Sequence, residues 1–326
     1  MDIRDVCFFL TDRCTAACPV CFAQCSPDRK FVMDKNLIKR YMREAKELGT
    51  VKTFDFSGGE PLLYPELLLE TARYGMEECG IPFAIVTNGF WGKDIDYARK
   101  LMKKLVDVGI KGMRLSVDAF HQQFVPPQSV KNALIAISEV GLRPELSIMD
   151  TKDRSGIVKT IESLRPEIYL ADDVIYYPVV LPELAANSTR HGLTDDDVIK
   201  TFDVKNATCI GVESINIYFD GKMYPCCSQF SFEIPGICLG TAGETSLKEA
   251  VERMNRNPVL DMMKRCDLKW FVKEAESLGI KFKECYSMDC EICRDLLNNP
   301  VFMEHIEKKA KEESQKMRVA KFLGKG

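Results

Sequence analysis

The chain has 326 residues, 46% of them apolar, with a formal net charge of −3 and 14 cysteines. That length exceeds one small domain and falls short of three full ones, so one large α/β unit with a smaller C-terminal module is expected. The near-balanced charge gives no reason to expect nucleic acid as a partner, and the cysteine content stays below the ~8–10% of a disulfide scaffold.

The N-terminal stretch MDIRDVCFFLTDRC lacks a basic leader, a long apolar run and a small-residue cleavage site, and no segment reaches ~18 uninterrupted apolar residues. The expectation is a cytoplasmic protein with reduced thiols and no membrane span, where clustered cysteines point to metal or catalysis. From residue 5 to about residue 181, short apolar runs alternate with helix-period segments. Strands are predicted at 6–11, 51–57, 83–88, 112–118, 144–149 and 174–180, with amphipathic helices between them such as 37–49, 65–80 and 97–109, several ending in glycine. Six β-then-α units imply a parallel sheet with right-handed crossovers. They are too few for a closed (β/α)8 barrel, so the fold class is α/β with a partial (β/α)6 TIM-like barrel.

Residues 181–197 break this rhythm and read as a linker. The domain reading is a barrel at 1–185, a linker at 186–205, an auxiliary domain at 206–299 and a charged C-terminal helix at 300–326. Within the auxiliary domain, 214–227 reads as a β-hairpin turning at Asp220-Gly221, a pair suited to a type I′ turn. Helices are expected at 246–256 and 267–278, followed by a cysteine-rich stretch at 285–293. The terminal helix mixes Lys and Glu almost evenly and reads as a solvated face.

Cys14, Cys18 and Cys21 place three thiolates in one loop after the first strand. A [4Fe–4S] cluster takes one ligand per iron, so three thiolates leave one iron open for a chelating small molecule. Structural zinc normally needs four ligands, and here only Cys25 could supply the fourth. The CxxxCxxC spacing after the first strand of a partial barrel resembles the radical S-adenosylmethionine (SAM) superfamily, with Val20 a mild departure at a position usually aromatic or large. That resemblance implies a cluster whose open iron holds the amino and carboxylate groups of SAM, and reductive cleavage of SAM to a 5′-deoxyadenosyl radical.

Gly58-Gly59-Glu60 follows the second strand, where the family has its GGE motif. The glycines are expected to let the backbone approach the methionine amino group, with Glu60 accepting a hydrogen bond from it. By the same resemblance Asn88, Ser116 and Asp118, at the ends of the third and fourth strands, are candidate SAM contacts; each also reads as a strand-end cap or turn residue. His121 and Gln122, just beyond, read as substrate-facing or as packing.

Cys209, Gly221 and Cys226 match the C–x9–15–G–x4–C opening of the SPASM and twitch auxiliary-cluster domains. Cys290 and Cys293 form a CxxC pair that would complete a four-cysteine auxiliary [4Fe–4S] cluster, with Cys285 the competing ligand. Only part of the full SPASM pattern is present, with Cys238 and Cys266 isolated, so one auxiliary cluster is expected. Cys7, Cys79 and Cys238 stand among apolar residues and read as packing. Were the return strand to stay extended, Cys227 would point away from Cys226, placed to donate a hydrogen atom to a substrate radical. It equally reads as an inert buried thiol or as a ligand.

The short auxiliary domain, the Cys226-Cys227 pair, VTNGFWG and SVDAFHQQFVP resemble the radical SAM epimerases of ribosomally made peptides. That resemblance implies a ribosomal precursor peptide as substrate, and a small electron donor such as flavodoxin or ferredoxin as partner. Thioether (sactipeptide-type) crosslinking is the alternative reaction, and a non-catalytic iron–sulfur redox protein the alternative class. With the barrel starting within the first dozen residues, any leader sequence is expected to bind the barrel, the C-terminal module or a separate protein.

Overall fold

The computed structural model describes residues 2–180, 197–209, 212–234 and 236–322. Most of the predicted linker therefore lies outside the described residues. The chain divides into two compact units, one of residues 4–199 with 216–221, the other of 200–215 and 222–326 with the first three residues.

The larger unit contains six parallel strands: β1 (Asp5–Thr11), β2 (Thr53–Gly58), β3 (Phe83–Thr87), β4 (Ile110–Ser116), β5 (Glu145–Asp150) and β6 (Asp173–Pro178). They lie in the order β6-β5-β4-β3-β2-β1, so each strand pairs with its neighbour in sequence, as in a partial (β/α)6 barrel. The helices α1 (Lys35–Leu48), α2 (Pro65–Cys79), α3 (Ile95–Asp107), α4 (Pro127–Glu139) and α5 (Ser155–Leu164) fill the crossovers. In α1 the buried residues Ile38, Tyr41, Met42 and Ala45 recur at helical spacing, which gives one apolar face against the sheet. Asp34 caps its start through the amides of Asn36 and Leu37, and Gly49 closes it in the left-handed region.

Strand β4 starts and stops two residues earlier than its apolar run predicts. Val117 and Asp118 fall in the turn beyond it because the Asp118 carboxylate takes the amides of Phe120 and His121 (3.0 Å each), which competes with continued strand pairing.

The smaller unit holds strands β8 (Lys222–Tyr224) and β9 (Gly240–Thr241), paired antiparallel, and helices α6 (Leu247–Arg256), α7 (Pro258–Ser277), α8 (Asp289–Leu297) and α9 (Pro300–Phe322). Strand β7 (Ser214–Ile217) leads to β8 through Tyr218–Gly221, a turn closed by the Gly221 amide on the Tyr218 carbonyl at 3.0 Å. Gly221 takes positive φ (79°) and Asp220 does not, so the connection is longer than the two-residue type I′ turn predicted. Helix α7 begins nine residues before the predicted start at 267 and carries a break at Asp267 (φ 64°, ψ 172°), where the apolar period changes phase.

Candidate active site

The loop between β1 and α1 carries Cys14, Cys18 and Cys21. Its two limbs are tied by the Cys14 amide on the Ser26 carbonyl (3.1 Å) and the Ser26 amide on the Asp12 carbonyl (3.3 Å). Ala16, Cys18 and Val20 are buried with Val179, and Cys14, Cys21, Phe120 and Met149 pack against that group. Val20 thus fills an apolar seat in spite of its small size.

The GGE segment is bound to the same loop. The Gly59 amide donates to the Thr11 carbonyl at 2.6 Å, and the Glu60 amide to the Arg13 carbonyl at 2.9 Å. A β-carbon on Gly59 would stand 2.1 Å from the Arg13 carbonyl oxygen, and one on Gly58 2.5 Å from that of Thr11. Both glycines are therefore required by the cysteine loop itself, a reason the sequence did not display.

Glu60 is fully buried and accepts hydrogen bonds from the amides of Leu62 (3.0 Å) and Asn88 (2.8 Å) and from the Thr87 hydroxyl (2.8 and 3.0 Å). Burial outweighs these donors and pushes its carboxyl up to about 7. Thr87 in turn accepts from the Trp91 indole N–H at 3.2 Å. Asn88 reaches from β3 to the Cys14 sulfur (3.6 Å) and the Thr15 hydroxyl (3.0 Å). Burial, with the Glu60 charge next, pushes the Cys14 thiol up to about 12.

Asp118 is turned inward. Besides the two amides, its carboxylate pairs with the His121 ring at 2.8 Å and accepts from the Met149 amide at 3.3 Å. Against the cost of burial, the neighbouring His121 charge holds Asp118 below the usual carboxylate range. Burial opposes the His121 charge too, yet Asp118 raises its pKa well above the ordinary value. Gln122 is tied to the Val117 carbonyl (3.3 Å) and Ser163 (3.0 Å). Ser116 ends β4, half-buried, paired in register with Ser147 of β5.

Cys25 was a conceivable fourth ligand in the sequence. It is buried beside Cys21, with its amide 3.4 Å from the Cys21 sulfur. Hydrogen bonding from Cys25 holds Cys21 below the ordinary thiol range, and Cys25 itself is raised. Two of the loop cysteines therefore meet different protein donors: Asn88 at Cys14 and the Cys25 amide at Cys21.

In the smaller unit Cys209, Cys226, Cys290 and Cys293 lie near enough for their charges to act on one another. Cys290 and Cys293 are one helical turn apart on α8. Burial pushes the Cys290 thiol up to about 12, and Cys226, Cys209 and Cys227 act on it through their charges. Cys293 is driven well above its ordinary value by burial and by Cys209, Cys226 and Cys290. The Cys209 amide is held by the Asp267 carboxylate at the break in α7, and the preceding Thr208 amide by Asp289 at 2.5 Å.

Strand β8 stops at Tyr224, since Pro225 has no amide to continue the ladder. The strict alternation assumed for Cys226 and Cys227 is therefore absent. Cys226 is half-buried, its sulfur 3.4 Å from the Ser231 hydroxyl, whereas Cys227 is exposed rather than buried. Cys238 is exposed as well, which corrects its reading as a packing residue, while Cys7 is buried and Cys79 half-buried.

Among the described residues, no three His, Cys, Asp or Glu side chains are gathered tightly enough to hold a single metal ion. A [4Fe–4S] cluster asks for something different, one thiolate at each of several separate irons. The chemistry of both cysteine sets fits such a group: buried or half-buried thiols, mutually repelling as thiolates, whose charge iron would compensate.

Residues 8–151 match the model of the Radical SAM superfamily. Over 299 residues, 89% of this chain and 91% of the relative, the chain is 25% identical to YydG of Bacillus subtilis (strain 168), a protein named for peptide biosynthesis. Two solved structures share the fold. One is anSMEcpe with bound AdoMet and Cp18Cys peptide (TM-score 0.52, 16% identity, 96% of this chain and 99% of that one). The other is Streptococcus suis SuiB bound to S-adenosylmethionine (TM-score 0.52, 14% identity, 83% of this chain and 68% of that one).

Proposed function

We propose that the chain is a radical SAM enzyme that uses a [4Fe–4S] cluster and SAM to convert an L-residue of a ribosomally made peptide to its D-form. The observation that carries this reading is the cysteine arrangement of the smaller unit. Four half-buried thiols, Cys209, Cys226, Cys290 and Cys293, act on one another through their charges, which supports reading them as ligands of an auxiliary cluster, while Cys227 is exposed. The peptide-biosynthesis name of YydG and the peptide bound to anSMEcpe support a peptide as the substrate class.

In this reading Cys14, Cys18 and Cys21 hold the SAM-binding cluster. Gly58 and Gly59 bring the GGE backbone against the cysteine loop, and Glu60 meets the SAM amino group, whose positive charge would offset the burial of the carboxylate. Asn88 orients Cys14, and Ser116 lines the strand ends beside it. When bound, the cluster and SAM would supply the radical chemistry by which the peptide's Cα hydrogen is taken. Cys227 then gives its thiol hydrogen atom to the opposite face of the planar carbon: the S–H bond breaks and a C–H bond forms. The sulfur would be returned to a thiol by one electron and one proton, the electron supplied by a flavodoxin- or ferredoxin-class donor; Cys209, Cys226, Cys290 and Cys293 would hold the auxiliary cluster, which would supply one-electron chemistry. Donor and abstractor must flank one carbon, so positioning sets the stereochemical result. This chemistry belongs in the reducing cytoplasm.

The test is incubation of the reconstituted enzyme with SAM, reductant and a precursor peptide in heavy water. Epimerisation leaves one deuterium in the peptide, crosslinking removes two hydrogens, and absence of deoxyadenosine would sink every reading that uses SAM. The Cys227→Ala enzyme is expected to form deoxyadenosine and no D-residue. Normal epimerisation by that variant would falsify the role of Cys227.

A further inference from the structure

Strand β6 stands apart from the other five strands of the barrel. None of its residues is buried, whereas each of β1–β5 has three or more that are. It also ends the sheet: among the described residues β5 lies on one side of it and no strand on the other. The Val179 amide donates to the Asp150 carbonyl at 2.9 Å, and Asp150 is paired in register with Pro178. In a parallel ladder that bond turns the backbone groups of Ile175 and Tyr177 toward β5. Alternation then turns the N–H and C=O groups of Val174 and Tyr176 to the open side. Pro178 falls on the same side, where a strand can lack an amide without losing a bond to its neighbour.

Open edges are normally blunted by lysines, a bulge or an inward charge. The middle of β6, Val174-Ile175-Tyr176-Tyr177, has no charge and pairs with β5 without a shift of register, and Tyr176 is 43% exposed. These are residue types that favour pairing. The strand is steadied from its other neighbours, since the Tyr177 hydroxyl accepts from Arg114 at 3.4 Å. Its far end runs into the candidate active site: Val179 is fully buried in the group with Ala16, Cys18 and Val20. We infer that the peptide substrate docks as an added strand along the open edge of β6, its backbone paired with Val174 and Tyr176, so that register delivers the reacting residue to the cysteine loop. The inference rests on the peptide-substrate reading above. A row of backbone donors and acceptors recognises an extended chain rather than a compact small molecule, and leaves the choice of sequence to the side chains.

The probe is a set of short synthetic peptides tiled along a precursor peptide that supports deoxyadenosine formation, each carrying a dye, with binding to the reconstituted enzyme followed by fluorescence anisotropy. N-methylation of successive backbone amides in the tightest binder is expected to weaken binding about tenfold at every second position and little at those between. Sensitivity without that two-residue period, or no binding by any tiled peptide, overturns the inference. Tyr176→Pro removes an edge amide and no bond to β5, so it should weaken binding about tenfold. Tyr176→Ala keeps the amide and should lose clearly less; equal binding by the two variants overturns the assignment of that edge. Where Tyr176→Pro does not fold, amide exchange in the wild-type chain decides. The Val174 and Tyr176 amides should exchange freely without peptide and become protected with it. Protection already present without peptide, by the chain itself or by a second copy, overturns the proposal. A peptide that binds in this pattern yet gains no D-residue would sink the epimerase reading alone, and a D-residue formed without the pattern would sink the strand addition alone.

Discussion

Gly59 shows how little room the site leaves at single atoms. Its missing β-carbon would collide with backbone, the Arg13 carbonyl at 2.1 Å, and backbone cannot swing aside as a flexible side chain can. Gly59→Ala is therefore expected to cost about 1–3 kcal/mol and to lower iron content at the N-terminal cluster, read by denaturant unfolding and iron analysis. Asp55 on β2 offers a pH signature away from the cysteines. Burial, with Asp5 adding, pushes its carboxyl up from 3.8 to about 6 in spite of Lys111 and Arg114. The folded chain then holds that proton more tightly than the unfolded chain does. The penalty is absent below about pH 4 and fully present above about pH 6. Asp55→Asn should stabilise the protein by about 2 kcal/mol or less above pH 6 and not at pH 4, as followed by melts across that range.

At the scale of an element, the break in α7 has a clear task. Asp267 adopts positive φ, a conformation costing about 1 kcal/mol or more for a residue other than glycine. In return its carboxylate caps Leu268 at 2.7 Å and holds the Cys209 amide. Asp267→Gly keeps the backbone conformation and loses the hydrogen bond. It is expected to drop the iron content from about eight toward about four per chain, whereas Asp267→Asn should retain most of it. Equal iron loss in both variants would point to the charge of Asp267 instead of its grip on Cys209. The hairpin carries a similar lesson, because Pro225 ends β8 one residue before Cys226 and frees Cys226 and Cys227 from strand alternation.

Across the whole molecule, the division into two compact units predicts separable responses to metal loss. Replacing Cys290 and Cys293 together by Ser should remove the auxiliary iron. It should also raise amide exchange in α8 and the flanking 200–215 segment, while β1–β5 stay protected. Uniform loss of protection throughout the chain would contradict independent units. Among the described residues no helix is long and apolar enough to cross a membrane, in line with the sequence reading.

The order of strands, the helices between them and the two cysteine sets were legible in the sequence because they rest on short-range signals. Apolar period, capping residues and ligand spacing act over a few residues, and the chain obeys them from β1 to β6. The contacts that decide the chemistry join residues far apart in sequence, and only the folded chain reveals them. Asn88 meets Cys14 and Asp118 meets Met149 because parallel strands bring all their carboxyl ends to one rim. The Cys209 amide is held by Asp267, an aspartate in a helix break, across a separation in sequence that no local signal announces. The N-terminal cysteine motif by itself announced an iron–sulfur site. Which protein group faces each sulfur was decided by tertiary packing, since a hydrogen bond needs the two atoms in place and not merely in the sequence.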